Sequence, residues 1–233
     1  MVPIHDENPT KITPYITYIL IVINVLVFLH QITLSDRELQ GFFQLYALVP
    51  REFTATLEGI TVNQPVPEWS TLVTSQFLHG SWMHLGGNML FLWIFGNNIE
   101  EQLGRLKYLL FYLSCGVLAG LTQWFFSINS IIPSLGASGA IAGVMGAYIL
   151  RFPKTKILTL IPVGIIIPVK IPAYFFLGIW FLQQALYSVL SLDVPNNIGM
   201  ESGGIAYWAH AGGFVFGAIL GPLLGLFSRK KRR

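Results

Sequence analysis

Residues 131–152 read IIPSLGASGAIAGVMGAYILRF. Pro133 and Gly136 break helix just before Ser138. From Ser138 to Arg151 the chain can run ~20 Å as helix, at ~1.5 Å per residue. The hydrocarbon core of a bilayer is ~30 Å thick. A helix that ends on Arg151 at one surface therefore begins roughly 10 Å short of the other, with Ser138 at its N-terminus. The irregular chain before it has to descend to that depth. Irregular backbone is tolerated there only where protein buries it or where it lines water. The stretch thus implies a wet cavity with a serine on its floor. A helix N-terminus also offers free N–H groups and a partial positive charge, which suit a developing oxyanion. Taken alone, the serine suits a small-residue packing face at least as well.

Composition agrees with a membrane setting. The chain has 233 residues, 53% hydrophobic and 11% charged, against roughly 25% charged in an ordinary soluble domain. Its mean hydropathy is +0.61. The basic residues flank apolar runs instead of lining a solvated face, which excludes nucleic acid as a partner. The single Cys115 rules out a disulfide framework and reads as a small packing residue. No basic n-region precedes the first apolar run and no small-x-small site follows it, so the N-terminus is expected to be an anchor and not a signal peptide.

Five runs have the length of a span: 15–34, 72–96, 108–126, 171–190 and 205–227. The shorter run 138–150 adds a sixth crossing. A seventh at 157–169, interrupted by Pro162 and Pro168, would place the terminal RKKRR on the far side. With six spans, 12 of the 14 basic residues fall on one side, a strong positive-inside pattern with both termini cytoplasmic. Residues 157–169 are therefore read as a Pro-broken loop at the surface. The expected fold is all-α: one membrane domain over 1–233, with six transmembrane helices, a short N-terminal segment 1–13 and a basic tail 228–233. The long outer segment 35–70 is too apolar for a plain linker and is read as short amphipathic helices.

Polar residues inside the other spans supply partners for Ser138. His84 and Asn88 are four apart and share one helix face. Their heights bracket that of Ser138, and together they can donate two hydrogen bonds to an oxyanion; interhelical hydrogen bonding is the plainer alternative. His210 lies in the last span at a compatible depth. Gly213, Gly217, Gly221 and Gly225 recur every four residues there, and Gly139 and Gly143 do the same on the fourth span. Such faces let helices approach closely, which would bring His210 to Ser138 as its base. No carboxylate lies inside the spans as drawn, so the pair would act as a dyad. Two buried aspartates for an aspartyl protease are missing, and so is an HExxH zinc motif. No metal or cofactor is implied. His79 is expected to fix the outer end of the second span. Gln183 and Gln184 are expected to bond neighbouring helices. His5 and His30 carry no signal.

These residues resemble those of a known family, the rhomboid intramembrane serine proteases. Gly136-Ala137-Ser138-Gly139 resembles the family's GxSG. Ala209-His210 with Gly213 and Gly217 resembles its AHxxGxxxG. His79, His84 and Asn88 resemble its HxxxxHxxxN, and Glu100 with Gly104 its ExxxG. The likeness runs from about residue 10 to 227. It implies cleavage of single-pass membrane proteins near the outer end of their transmembrane segment. Ser138 would be acylated and His210 would serve as base and acid. The Ser138 N–H, His84 and Asn88 would form the oxyanion hole. Substrate would enter sideways between spans two and five, past Phe175, Phe176, Trp180 and Phe181. The expected location is a bacterial plasma membrane with the site open to the outer side; the oligomeric state is left open. Two positions depart from the family pattern. Ala142 stands where many bacterial relatives place an aromatic against the histidine, and Trp69 is followed by Ser70 where Trp-Arg is common. The alternatives are a catalytically inactive rhomboid-like protein that binds membrane clients, and a small transporter, which inverted repeats would favour; none were found.

Overall fold

The computed structural model describes residues 1–60, 65–162, 166–191 and 206–228. The basic residues Arg229–Arg233, counted in the charge argument, lie outside them. The structure is mostly helical. The long helices are α1 (Tyr15–Gln31), α5 (Trp82–Leu103), α6 (Arg105–Phe126), α7 (Ser138–Arg151), α8 (Ala173–Leu190) and α9 (Tyr207–Leu224), and three short ones, α2 (Asp36–Tyr46), α3 (Pro50–Leu57) and α4 (Glu68–Thr74), fill the segment after α1. By length and composition α6, α8 and α9 can each cross a membrane, and α1 is a shorter apolar helix. The second apolar run starts later than expected. Residues 75–77 form a 3-10 turn, and α5 begins only at Trp82, where the Ser81 hydroxyl accepts the His84 N–H at 3.1 Å.

The short α7 is the centre of the molecule, buried from Gly139 to Tyr148. It packs against both α6 and α9. The expected glycine contact with α9 is present and very close. A Cβ on Gly213 or Gly217 would run into the carbonyl of Gly139 or Gly143, and one on Gly146 into that of Phe214. Gly139 and Gly143 have a second neighbour that the sequence did not suggest. Their missing side chains make room for Ala119 and Cys115 of α6, which gives Cys115 its packing role. Gly225 leaves the stripe and ends α9 with φ 101°, a left-handed conformation that glycine adopts without steric cost.

Two expectations need correction. The fold is not wholly α-helical, and 157–162 and 166–169 are strand instead of loop. Strands β1 (Val2–Asp6), β2 (Lys156–Pro162) and β3 (Ile166–Pro172) form an antiparallel sheet in the order β1-β2-β3, with Ile157 opposite Ile171 and Asp6 opposite Ile157. Pro168 is tolerated because β3 is an edge strand and a proline there leaves no interior ladder bond unmade. The N-terminal segment is thus part of the fold. Asp6 is buried, accepting from the Tyr148 hydroxyl at 2.5 Å and the Asn98 amide at 2.9 Å. Burial pushes its carboxyl above the ordinary range. Nearby, Glu100 of α5 is fully buried and accepts from the N–H groups of Ile16 and Thr17 at 3.0 and 2.8 Å, and from the Thr17 hydroxyl at 2.9 Å. It caps the N-terminus of α1 from another helix, satisfying donors that Pro14 cannot. Gly104, at φ 82°, ends α5 and donates to the Glu100 carbonyl at 2.8 Å.

At the other end the amphipathic-helix reading of 35–70 holds for the described part. Ser35 and Glu38 form a capping box on α2, and Pro50 opens α3. This segment also holds the descending chain before Ser138. Leu48 and Ser134 exchange backbone bonds at 3.1 and 2.8 Å, Arg51 N donates to Ser130 O at 3.0 Å, and Gly136 N donates to Ser75 O at 2.8 Å. The irregular backbone is therefore paired by protein where it approaches the helix start, as a non-aqueous setting requires.

Candidate active site

Ser138 is the first residue of α7. Its Oγ lies 2.7 Å from His210 Nε2 on α9, one turn into that helix. The glycine contacts between α7 and α9 set this distance, because they let the two backbones touch directly. The other ring nitrogen, His210 Nδ1, donates to Gln184 Oε1 of α8 at 2.8 Å. With its proton on Nδ1, the neutral ring presents the Nε2 lone pair to the serine hydroxyl. That is the arrangement in which a histidine can take the serine proton.

Opposite the dyad stands α5. His84 and Asn88 line the same cavity as Ser138 and His210, together with Phe91, Met145 and Trp180. The cavity has a volume of about 560 Å³, enough for several side chains of an extended peptide. Asn88 Nδ2 donates one hydrogen to His79 Nε2 at 2.9 Å, leaving the other free. His79 is itself fixed: Gln31 of α1 donates to its carbonyl at 2.9 Å and accepts its N–H at 3.1 Å. Its role is thus more specific than fixing a helix end, since it holds Asn88. Gly136 has φ 119°, and a Cβ there would come within 2.7 Å of His84 Nε2. The bare backbone at 136 keeps open the space between His84, Asn88 and the start of α7. An oxygen placed there would meet the Ser138 N–H and two side-chain donors.

The candidate site residues each have a place, whereas Gln183, expected to bond a neighbouring helix, is exposed. Ser138, His210, His84, Asn88 and Gly136 share the site. His79 stands behind Asn88; Gly139, Gly213 and Gly217 form the seam beneath the dyad. Glu100 and Gly104 lie at the far end of α5 and shape the fold only. The four aromatics of α8 separate. Phe175 is exposed, Phe176 packs near Phe91, Phe181 stacks on Phe214 with ring centres 4.7 Å apart, and Trp180 lies 5.8 Å from the His210 ring. Only Phe176 therefore bridges toward α5. The departure at Ala142 is also explained. Its methyl faces Gly213 in the seam, where no aromatic ring fits, and Trp180 takes that place beside the histidine from α8. Ser70 turns back to Pro67 O at 2.6 Å, and Thr74 ties α4 to the Tyr46 carbonyl at 2.7 Å; these bonds hold the outer segment without an arginine. Sequence reasoning missed the contact between Gln184 and His210. The expectation that Gln184 bonds a neighbouring helix holds, but the sequence did not single out His210 as its partner.

A helical membrane protein with a half-buried serine–histidine pair at a helix start is the class that fold and site define. The Rhomboid domain family matches residues 66–227, and the chain belongs to the rhomboid family. It is 34% identical to rhomboid-like protein 11, chloroplastic, of Arabidopsis thaliana, over 73% of this chain and 58% of that one. It is 29% identical to rhomboid protein 1, mitochondrial, of Saccharomyces cerevisiae, over 94% of this chain and 56% of that one. The rhomboid protease GluP of Bacillus subtilis is 33% identical over 70% of this chain and 28% of its own length. The chain thus spans little more than half of the first two relatives and less of the third. Their names cover a chloroplast, a mitochondrion and a bacterium, and give the expected bacterial plasma membrane no support.

Proposed function

We propose that this chain is an intramembrane serine endopeptidase that cleaves transmembrane segments of single-pass membrane proteins. The observation that carries the reading is the 2.7 Å approach of Ser138 Oγ to His210 Nε2 on the floor of the cavity. The Ser138 oxygen attacks the scissile carbonyl carbon while its proton passes to His210 Nε2. The resulting oxyanion sits between the Ser138 N–H, His84 and Asn88. Collapse expels the amine, which takes the proton from His210 and leaves an acyl-serine. Water then attacks the acyl carbon and gives a proton to His210; the second tetrahedral intermediate collapses, the bond to Ser138 Oγ breaks, Oγ takes that proton back, and the acid product leaves. No metal or cofactor enters this scheme.

In this reading the chain is one rhomboid domain over 1–233 that crosses the bilayer six times, by α1, α5, α6, α7, α8 and α9. The excess of basic residues on one side favours both termini there and a cavity open to the other side. Substrate would reach it sideways between α5 and α8, where few side chains bridge the two helices. The relative named a protease supports the chemistry; the client-binding alternative would need neither the serine–histidine bond nor the oxyanion donors. Purified protein in detergent, treated with a serine-reactive fluorophosphonate, separates them. Labelling lost in both Ser138→Ala and His210→Ala supports the protease. An unlabelled, folded wild type that a small isocoumarin also leaves unmodified overturns it.

A further inference from the structure

Beyond the Ser138–His210 pair, α8 supplies a third group. Gln184 is buried, 8% exposed, in a helix long and apolar enough to cross a membrane. Burying an amide in such a helix is unfavourable unless its polar atoms find partners. Its Oε1 lies 2.8 Å from His210 Nδ1, on the ring edge away from the serine. Trp180, one turn earlier on α8, lies beside the same ring. Among the described residues lining the cavity, the only other titratable side chain is His84, and none is a carboxylate that could hold the Nδ1 proton.

We propose that Gln184 is a positioning residue for the reaction, fixing His210 in the Nδ1–H tautomer so that Nε2 faces Ser138. The inference rests on the protease reading for its effect on turnover. An amide oxygen accepts from Nδ1–H in the neutral ring and accepts more strongly from the imidazolium that forms when Ser138 gives up its proton. It thus does, without charge, what a carboxylate does in a serine triad. Because Gln184 and Trp180 both ride on α8, a displacement of that helix that admits substrate also withdraws support from His210. Alignment of the base then depends on α8 returning.

The test compares the full-length wild type with Gln184→Leu and Gln184→Glu in detergent, after thermal melting shows all three folded. Rates are followed from pH 5 to 9 on a fluorogenic transmembrane-segment peptide. Leucine should lower kcat about tenfold, the value of one lost hydrogen bond, with KM little changed. Glutamate accepts the same bond and should recover most of kcat. Its charge should also move the acid limb of kcat/KM upward by about one pH unit. A leucine variant as fast as wild type, or both variants equally slow with an unmoved acid limb, overturns the proposal. The tautomer is read separately, in a Ser138→Ala background, from the ¹⁵N shifts of the His210 ring. Protonation at Nδ1 with Gln184 and its loss with leucine support the inference even if the peptide is never cut. A tautomer unchanged by leucine overturns it. Failure of the wild type to hydrolyse peptide while the tautomer responds would count against the protease reading alone.

Discussion

The seam between α7 and α9 and the face of α8 that meets it are built on opposite principles. In the seam, glycines bring backbone against backbone, so that Gly217 rests on the Gly143 carbonyl with no side chain between. On α8 the contacts are long side chains, Trp180, Phe181 and Gln184, reaching across to His210 and Phe214. Ser138 and His210 sit on the first kind of surface, and the side chains that touch the His210 ring from α8 sit on the second. Backbone contact leaves no rotamer freedom between the two helices. Aromatic contact tolerates sliding. Under the proposed function, this division would let a bulky substrate enter without loss of the Ser138–His210 distance.

The sharpest break of this comparison is at the dyad. Ser138→Ala and His210→Ala should each remove about four to six orders of magnitude of turnover, with similar losses because the two act as a unit; unequal losses would mean that another group serves as base. Next, His84→Ala and Asn88→Ala should each slow turnover by about one to three orders of magnitude in kcat, the worth of one oxyanion donor. Unchanged rates in both would remove α5 from the chemistry. Third, Gly217→Leu should cost about 3 kcal/mol or more of stability, since backbone on both sides leaves nothing to yield. Leu186→Ala, on the exposed face of α8, should cost less than about 1 kcal/mol. Melting temperatures that fall alike would erase the contrast between seam and α8.

The smallest effect lies outside the membrane-spanning helices. Glu68, at the start of α4, is buried with both carboxylate oxygens shielded. Burial, helped by the nearby Glu52 charge, raises its pKa from 4.5 to about 7. The fold therefore favours the neutral acid, while the unfolded chain ionises at its ordinary value. Stability from this residue is present in acid and is lost as pH rises through about 7. Glu68→Gln should melt several degrees above wild type at pH 8 and show no such advantage at pH 5. An identical difference at both pH values would show that the carboxyl does not titrate in the fold.

Much of this molecule is legible from residues alone. The break at Pro133 and Gly136 followed by a run too short to cross a bilayer fixes the start of α7 at Ser138. The glycine spacing foretells its contact with α9. The spacing of His84 and Asn88 places both on the face that lines the cavity. These features are local, set by helix period and by which residues interrupt it, and a sequence displays such things directly. The sheet was hidden because 157–169 is apolar on both faces and carries prolines, so neither alternation nor turn chemistry marked it; β1 lies some 150 residues away in the chain. Glu100 capping α1, Asp6 beneath Tyr148, Gln31 clamping His79 and Gln184 holding His210 each join segments 26 or more residues apart. Their side chains had other partners available on any helix wheel. The sequence by itself determined on which helices the candidate residues sit. Only the tertiary structure decided which polar group satisfies which, because a buried donor or acceptor is matched by whatever packing brings within about 3 Å, and no periodicity along the chain encodes that.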